Sequence, residues 1–272
     1  MAEPAHILVT GAAGAIGGAL ARALAARHPA ALLSLVDVAP ADQLTGELGA
    51  RAMAVPWDLA APDELERALG ALVAARGPID CLISSAGIMD VGWFATTDWR
   101  DAQRLLDIDL VSPLRLMNLV VPGMIQRGGG AIVNLTSMAG RTPLRGCAYY
   151  GAAKAGLAIA SEIAHLELAP RGVTVVTVYP GPVSSALERR ARAGLAAGRL
   201  TRMAPVGDPA VLARRILLAL DRRLPRVVYP GLYAAADRAL GVTRWFTSRF
   251  SPPPMGTRTV SPTPSKKTAS RP

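Results

Sequence analysis

Short apolar, β-prone runs alternate with amphipathic, alanine-rich stretches along most of this chain, and few folds accept such a pattern. Ile7–Thr10, Leu32–Val38, Ala52–Trp57, Asp80–Ser84, Ala131–Thr136 and Val173–Tyr179 read as strands with helical periodicity between them. Apolarity within the runs is continuous rather than alternating, which suits strands covered on both faces of a parallel sheet. The repeated βα unit therefore predicts an α/β fold: a doubly wound parallel sheet of about seven strands, the last at Arg226–Tyr229, with helices on both faces. With 272 residues, 51% of them apolar, a single domain over residues 1–250 can bury the core this requires. Beyond the sixth strand, helices are expected over Ser184–Arg199, Pro209–Asp221 and near Leu232–Phe250. Residues 251–272, rich in Pro, Ser and Thr, read as a disordered basic tail.

Directly after the first strand stands Thr10-Gly11-Ala-Ala-Gly14-Ala15-Ile16-Gly17, followed by a helical pattern. Glycines at a strand-to-helix turn let backbone N–H groups approach a pyrophosphate at the positive end of the helix, the mark of a Rossmann-type dinucleotide site. Asp37 ends the second strand, where a carboxylate accepts hydrogen bonds from adenosine-ribose hydroxyls and repels a 2′-phosphate. No Lys or Arg lies in the turn or just after Asp37, so NAD is expected in preference to NADP.

Tyr150 and Lys154 lie four apart at the start of an alanine-rich helical segment and project from one face. A nearby ammonium lowers a phenol's pKa, so Tyr150 can exchange a proton with a substrate oxygen. The chain uses Arg almost everywhere it needs a cation: Lys154 is the one lysine outside the tail, which holds Lys266 and Lys267. A lone Lys in so Arg-rich a sequence points to a need for a compact, multiply donating ammonium.

These motifs together resemble the short-chain dehydrogenase/reductase family over roughly residues 5–230. Thr10–Gly17 is similar to the family's cofactor turn, Tyr150-Gly-Ala-Ala-Lys154 to its active-site Tyr-x-x-x-Lys, and Ser137, thirteen before Tyr150, to its catalytic serine. The resemblance implies that Ser137 hydrogen-bonds the reacting oxygen, Tyr150 acts as general acid or base, and Lys154 binds nicotinamide-ribose hydroxyls. It implies an adenine contact for Asp58 and Leu59, and cofactor contacts for Ser85, Ala86 and Gly87. Pro180, Gly181 and Val183 are placed beside the nicotinamide, with Ser185 where threonine is usual. A mobile substrate lid is implied over about 184–203, and assembly as a homodimer or homotetramer through the helix after Tyr150. Two positions depart from the family pattern: Ser84-Ser-Ala-Gly87 replaces Asn-Asn-Ala-Gly, and Asp109 stands where an active-site asparagine is common. An Asp there adds negative charge near Lys154, tending to raise the tyrosine pKa and to slow the reaction or move its pH optimum.

The net charge of +10 is uneven: residues 1–188 hold 13 Lys+Arg against 17 Asp+Glu, and residues 189–272 hold 17 against 3. The basic part shows no groove-reading module, so no specific nucleic-acid partner is expected. Residues 231–250 can serve subunit packing, the favoured reading, or a peripheral membrane contact. Cys81 and Cys147 offer no disulfide framework, and His6, His28 and His165 show no metal-ligand spacing. The start Met1-Ala-Glu-Pro-Ala-His runs straight into Ile7-Leu8-Val9 without signal-peptide features, so a cytoplasmic location is expected. The resulting expectation is an NAD-dependent oxidoreductase acting on a lipophilic secondary alcohol or ketone. The alternatives are an NADPH-dependent carbonyl reductase and a cofactor-binding protein with little turnover.

Overall fold

The computed structural model describes residues 3–196 and 205–255. Seven parallel strands form one sheet: β1 (His6–Thr10), β2 (Leu32–Val36), β3 (Ala52–Val55), β4 (Cys81–Ser84), β5 (Gly130–Leu135), β6 (Val173–Pro180) and β7 (Arg226–Tyr229). Their order is β3-β2-β1-β4-β5-β6-β7, so the winding reverses between β1 and β4 and opens a crevice at their C-terminal ends. The helices are α1 (Ala15–Arg27), α2 (Asp42–Leu48), α3 (Leu65–Arg76), α4 (Trp99–Leu106), α5 (Ser112–Gln126), α6 (Ala148–Leu168), α7 (Ala186–Ala193), α8 (Pro209–Asp221), α9 (Gly231–Arg238) and α10 (Leu240–Phe250).

Successive side chains of β1 show why both faces must be covered. Ile7 and Val9 pack with Leu20, Leu24 and Ile216 under α1 and α8, while Leu8 packs with Leu72, Leu116 and Met124 under α3 and α5. Each fully buried Leu or Ile contributes roughly 1.5–3 kcal/mol, so the continuous apolarity of these strands is what a sheet with two dry faces demands. Capping fixes the helix starts: Asp208 accepts from Val211 N at 2.9 Å, with Pro209 in the first turn of α8.

Three expectations are corrected. β2 stops at Val36 rather than Val38: Asp37 N still donates to Val55 O at 3.2 Å, but its carboxylate accepts from Ala39 N and Ala13 N, and the chain turns there. The last helical segment is two helices broken at Ala239. The tail does not begin at Ser251: Ser251 and Pro254 are buried, and Met255 N donates to Gly194 O at 2.8 Å. Of the expected lid, Ala186–Ala193 is helical, and residues 197–204 lie outside the described residues, as does the tail from 256 onward.

Candidate active site

The glycine turn forms one wall of the crevice between β1 and β4. Gly11 has φ of +68°, and a Cβ there would meet Ala86 N at 2.6 Å; a Cβ on Gly17 would meet Gly11 O at 2.1 Å. Only glycine lets these backbones close up. Thr10 Oγ1 accepts from Ser85 N (3.1 Å) and Ala86 N (3.2 Å), tying the ends of the two strands together. Helix α1 starts at Gly14 and Ala15 with no side-chain cap, so its first N–H groups face the crevice as ready anion ligands. Asp37 accepts from Ala13 N at 2.9 Å, which sets its carboxylate against the same turn.

Asp58 accepts from Ala60 N at 2.9 Å and pairs with Arg104 at 3.6 Å; Leu59 is buried, its carbonyl accepting from Ser112 Oγ at 2.6 Å. Gly181, just past β6, donates from its N–H to Tyr229 O at 2.7 Å, and Val183 bridges Gly207. Pro180, Gly181 and Val183 thus close the far side of the same strand edge. Ser185 caps α7, accepting from Glu188 N at 3.0 Å.

Ser137 follows β5, and its Oγ accepts from Ala139 N at 3.0 Å while lying within hydrogen-bonding reach of the Tyr150 phenol. Tyr150 and Lys154, on the first turns of α6, are both buried. Lys154 Nζ donates to Leu135 O at 3.1 Å and lies 3.2 Å from Asp109 Oδ2, against 5.8 Å from the centre of the Tyr150 ring. Asp109 Oδ1 accepts from Ile88 N at 2.8 Å. Gly87 packs over the pair, where a Cβ would lie 3.2 Å from Asp109 Oδ2 and 3.3 Å from Lys154 Nζ.

Local sequence explains how Asp109 gets there. Pro113 has no N–H to give the Asp109 carbonyl four residues back, and its ring would strike that carbonyl. The helix opens into a π turn over Asp107–Val111, with Ser112 N donating to Asp107 O, and the widened turn seats Asp109 in the interior.

Burial pushes the Asp109 carboxyl up, with Lys154 and Ile88 N–H opposing. Burial also pushes the Tyr150 phenol up; Asp109 adds to the rise and the Ser137 hydroxyl works against it. The lowering expected from Lys154 does not offset this rise: its ammonium lies 3.2 Å from Asp109 Oδ2 and farther from the phenol. Burial raises the Cys147 thiol at the start of α6 to about 11, which keeps it protonated beside the tyrosine.

Beside this cluster opens a cavity of about 280 Å³, lined in part by Leu105, Phe94, Tyr149, Asp90 and Asp101. Phe94 stacks on Tyr149 at 5.2 Å, and Trp99 meets Tyr149 edge-on at 6.4 Å. The sequence carries no signal for this aromatic cluster, since Phe94 and Trp99 are brought to Tyr149 by tertiary packing. It likewise carries none for Leu135 O and Ile88 N, which are backbone groups. Among the described residues no cluster of His, Cys, Asp and Glu can hold a metal ion.

Residues 5–196 match the family model described as short chain dehydrogenase. Ketoacyl reductase HetN of Nostoc sp. is 30% identical over 228 residues, spanning 82% of this chain and 77% of its own. A short-chain dehydrogenase from Streptomyces avermitilis superposes with a TM-score of 0.77 at 28% identity, over 91% of this chain and 97% of that one. Another, from Sphingobium yanoikuyae in complex with NADPH, gives 0.74 at 28% identity, over 94% and 98%.

Proposed function

Because the chain belongs to the short-chain dehydrogenase/reductase family and is an oxidoreductase of that family, we propose that it transfers a hydride between NAD(H) and a secondary alcohol or ketone with an apolar body. The observation that carries this reading is the meeting of half-buried Ser137 with buried Tyr150 and Lys154 at the strand edge that also holds the glycine turn. The residues fit a dinucleotide: Gly11 and Gly17 leave a cradle that any Cβ would fill, and α1 offers uncapped N–H groups to a pyrophosphate. Asp37, held against that cradle, supports NAD(H) over NADP(H) by accepting from ribose hydroxyls and repelling a 2′-phosphate. The bound nicotinamide supplies or accepts the hydride.

The chain's own residues do the rest. Ser137 Oγ donates to the substrate oxygen, and the Tyr150 phenol gives or takes its proton. Lys154 Nζ, held by Leu135 O, offers its remaining protons to the ribose hydroxyls. The cavity beside Tyr150 receives the substrate body, its apolar part against Phe94, Leu105 and Tyr149 and any polar part toward Asp90 and Asp101. Exposed Ile159, Ile163 and Leu166, at helical spacing on α6, support a homodimer or homotetramer formed through that helix.

Tyr150→Phe is expected to lower turnover about 10²–10⁴-fold with NADH affinity retained; full turnover by this variant overturns the scheme. Parallel titrations with NADH and NADPH, followed by nicotinamide fluorescence, test the cofactor choice, and the NADPH complex of the Sphingobium enzyme makes the second arm necessary. The Asp109–Lys154 pair favours a second reading, a cofactor-binding protein with little turnover. Cofactor binding without turnover on any member of an alcohol and ketone panel is its signature.

A further inference from the structure

Helix α10 presents its side chains in the reverse of the usual order. Thr243 turns toward the protein, donating to Ala236 O at 2.7 Å, and Thr247 is half-buried beside it. Val242, Trp245, Phe246 and Phe250, spaced i, i+3, i+4 and i+8, face solvent instead, with exposures of 69%, 64%, 42% and 48%. The rings cluster on one another, Phe246 to Phe250 at 4.9 Å and Trp245 to Phe250 at 6.1 Å. Polar bonds attach the helix to the body: Arg244 donates to Arg141 O at 3.0 Å, and Arg145 donates to Ser248 O at 3.2 Å and Ser251 O at 2.9 Å. A short helix ordinarily draws its stability from burying its apolar stripe. Here no described residue covers the stripe.

Charge identifies the occupant. Residues 231–272 hold seven Lys+Arg and one Asp. That carboxylate, Asp237, is consumed internally by Arg141 and Arg226, each at 3.0 Å. Exposed Arg238, Arg244 and Arg249 flank the aromatic stripe. A second copy of the chain meeting this face across a two-fold axis would set arginine against arginine. Trp and Phe among arginines on an exposed helix suit the headgroup region of a membrane carrying negative charge. We propose that α9 and α10, with Arg238, Arg244 and Arg249, form a peripheral docking surface for an anionic lipid bilayer.

The surface adjoins the site. Pro254, just beyond α10, packs against Gly146, which also lines the aromatic cavity, and Met255 N is bonded to the end of α7. The segment that leaves α10 thus joins the docking helices to one wall of the cavity. The docking itself does not depend on the chemistry at Tyr150.

Flotation of the full-length protein with vesicles of phosphatidylcholine alone, and of phosphatidylcholine mixed with phosphatidylglycerol, tests the proposal. The expected result is binding to the anionic vesicles only, weakened by added salt, and reduced about tenfold or more in the Trp245→Ser, Phe250→Ser double variant. Thermal melting of the double variant should match the wild type, since both side chains are exposed. Absence of binding to anionic vesicles overturns the proposal, as does equal binding to neutral ones or undiminished binding by a folded double variant. Sedimentation velocity supplies a further overturning outcome: a wild-type oligomer that the double variant cannot form would make a second copy the occupant. The comparison of the two vesicle types with the unmodified chain decides the matter even if the double variant does not fold.

Discussion

One ammonium, on Lys154, serves both the Leu135 carbonyl and the Asp109 carboxylate, and this division sets the electrostatics of Tyr150. Asp109, Lys154, Ser137 and Cys147 surround the phenol, and Asp90 faces Asp109. A carboxylate near a phenol disfavours phenolate, so removing it lowers the phenol's pKa. Asp109→Asn is accordingly expected to move the acid limb of the kcat/KM profile for alcohol oxidation to lower pH, by about one unit. An unchanged profile, or a shift upward, removes Asp109 from control of the proton. His6 titrates with a readout in stability instead. Its ring is buried in β1 between Gly77 O and Ser34 Oγ, each at 2.8 Å, and burial lowers its pKa from the ordinary 6.5. The unfolded chain then binds a proton that the folded one resists, so the contribution of His6 is complete above 6.5 and is lost as pH falls through the folded value. Urea midpoints should decline below 6.5, and less steeply in His6→Gln; parallel curves would refute this. Tyr150 and Lys154 were legible as candidates in their four-residue spacing, and Ser137 through the family resemblance. It showed that Asp109 was unusual but not what it grips, since the Ile88 N–H and the Lys154 ammonium reach it through tertiary packing.

At the scale of elements, strands and turns were legible wherever composition alone decides them. Continuous apolar runs demanded two covered faces, and Pro209–Asp221 has the bounds that its cap and proline announce. Strand and helix ends were less legible, because distant groups compete for them. Asp37 leaves β2 for the glycine turn, and Ala239 interrupts what reads in sequence as one helix. Gly17 is the position with least room: Gly17→Ala forces backbone apart at the cofactor cradle. It is expected to weaken NADH binding at least tenfold and to destabilise the fold by about 1–3 kcal/mol. NADH affinity equal to the wild type would show that the turn holds no pyrophosphate. The π turn follows a subtler rule: Pro113 removes one bond, and the helix answers by accommodating an extra residue that delivers Asp109.

At the scale of the molecule, the segment past α10 closes the chain back onto the site. Ser251–Met255 reads in sequence as tail, since Pro-Ser-rich composition carries no record of a partner, yet Leu195, Gly194 and Gly146 receive it. A chain ending at Phe250 is expected to melt lower than one ending at Met255 and to show a higher KM, because α7 loses its anchor. Equal melting and equal KM would show that the segment supports neither. The same end of the molecule is fastened by Asp237, gripped by Arg226 from β7 and by Arg141, four residues beyond Ser137. Arg226 also lies over the Tyr179 ring at 4.4 Å, and Tyr179 OH donates to Glu162 of α6 at 2.7 Å. Asp237 thus fastens α9 both to β7 and to the turn after Ser137, while Arg145 and Arg244 fasten α10 beside it, so the two outward helices rest on the frame of the site through several bonds rather than one.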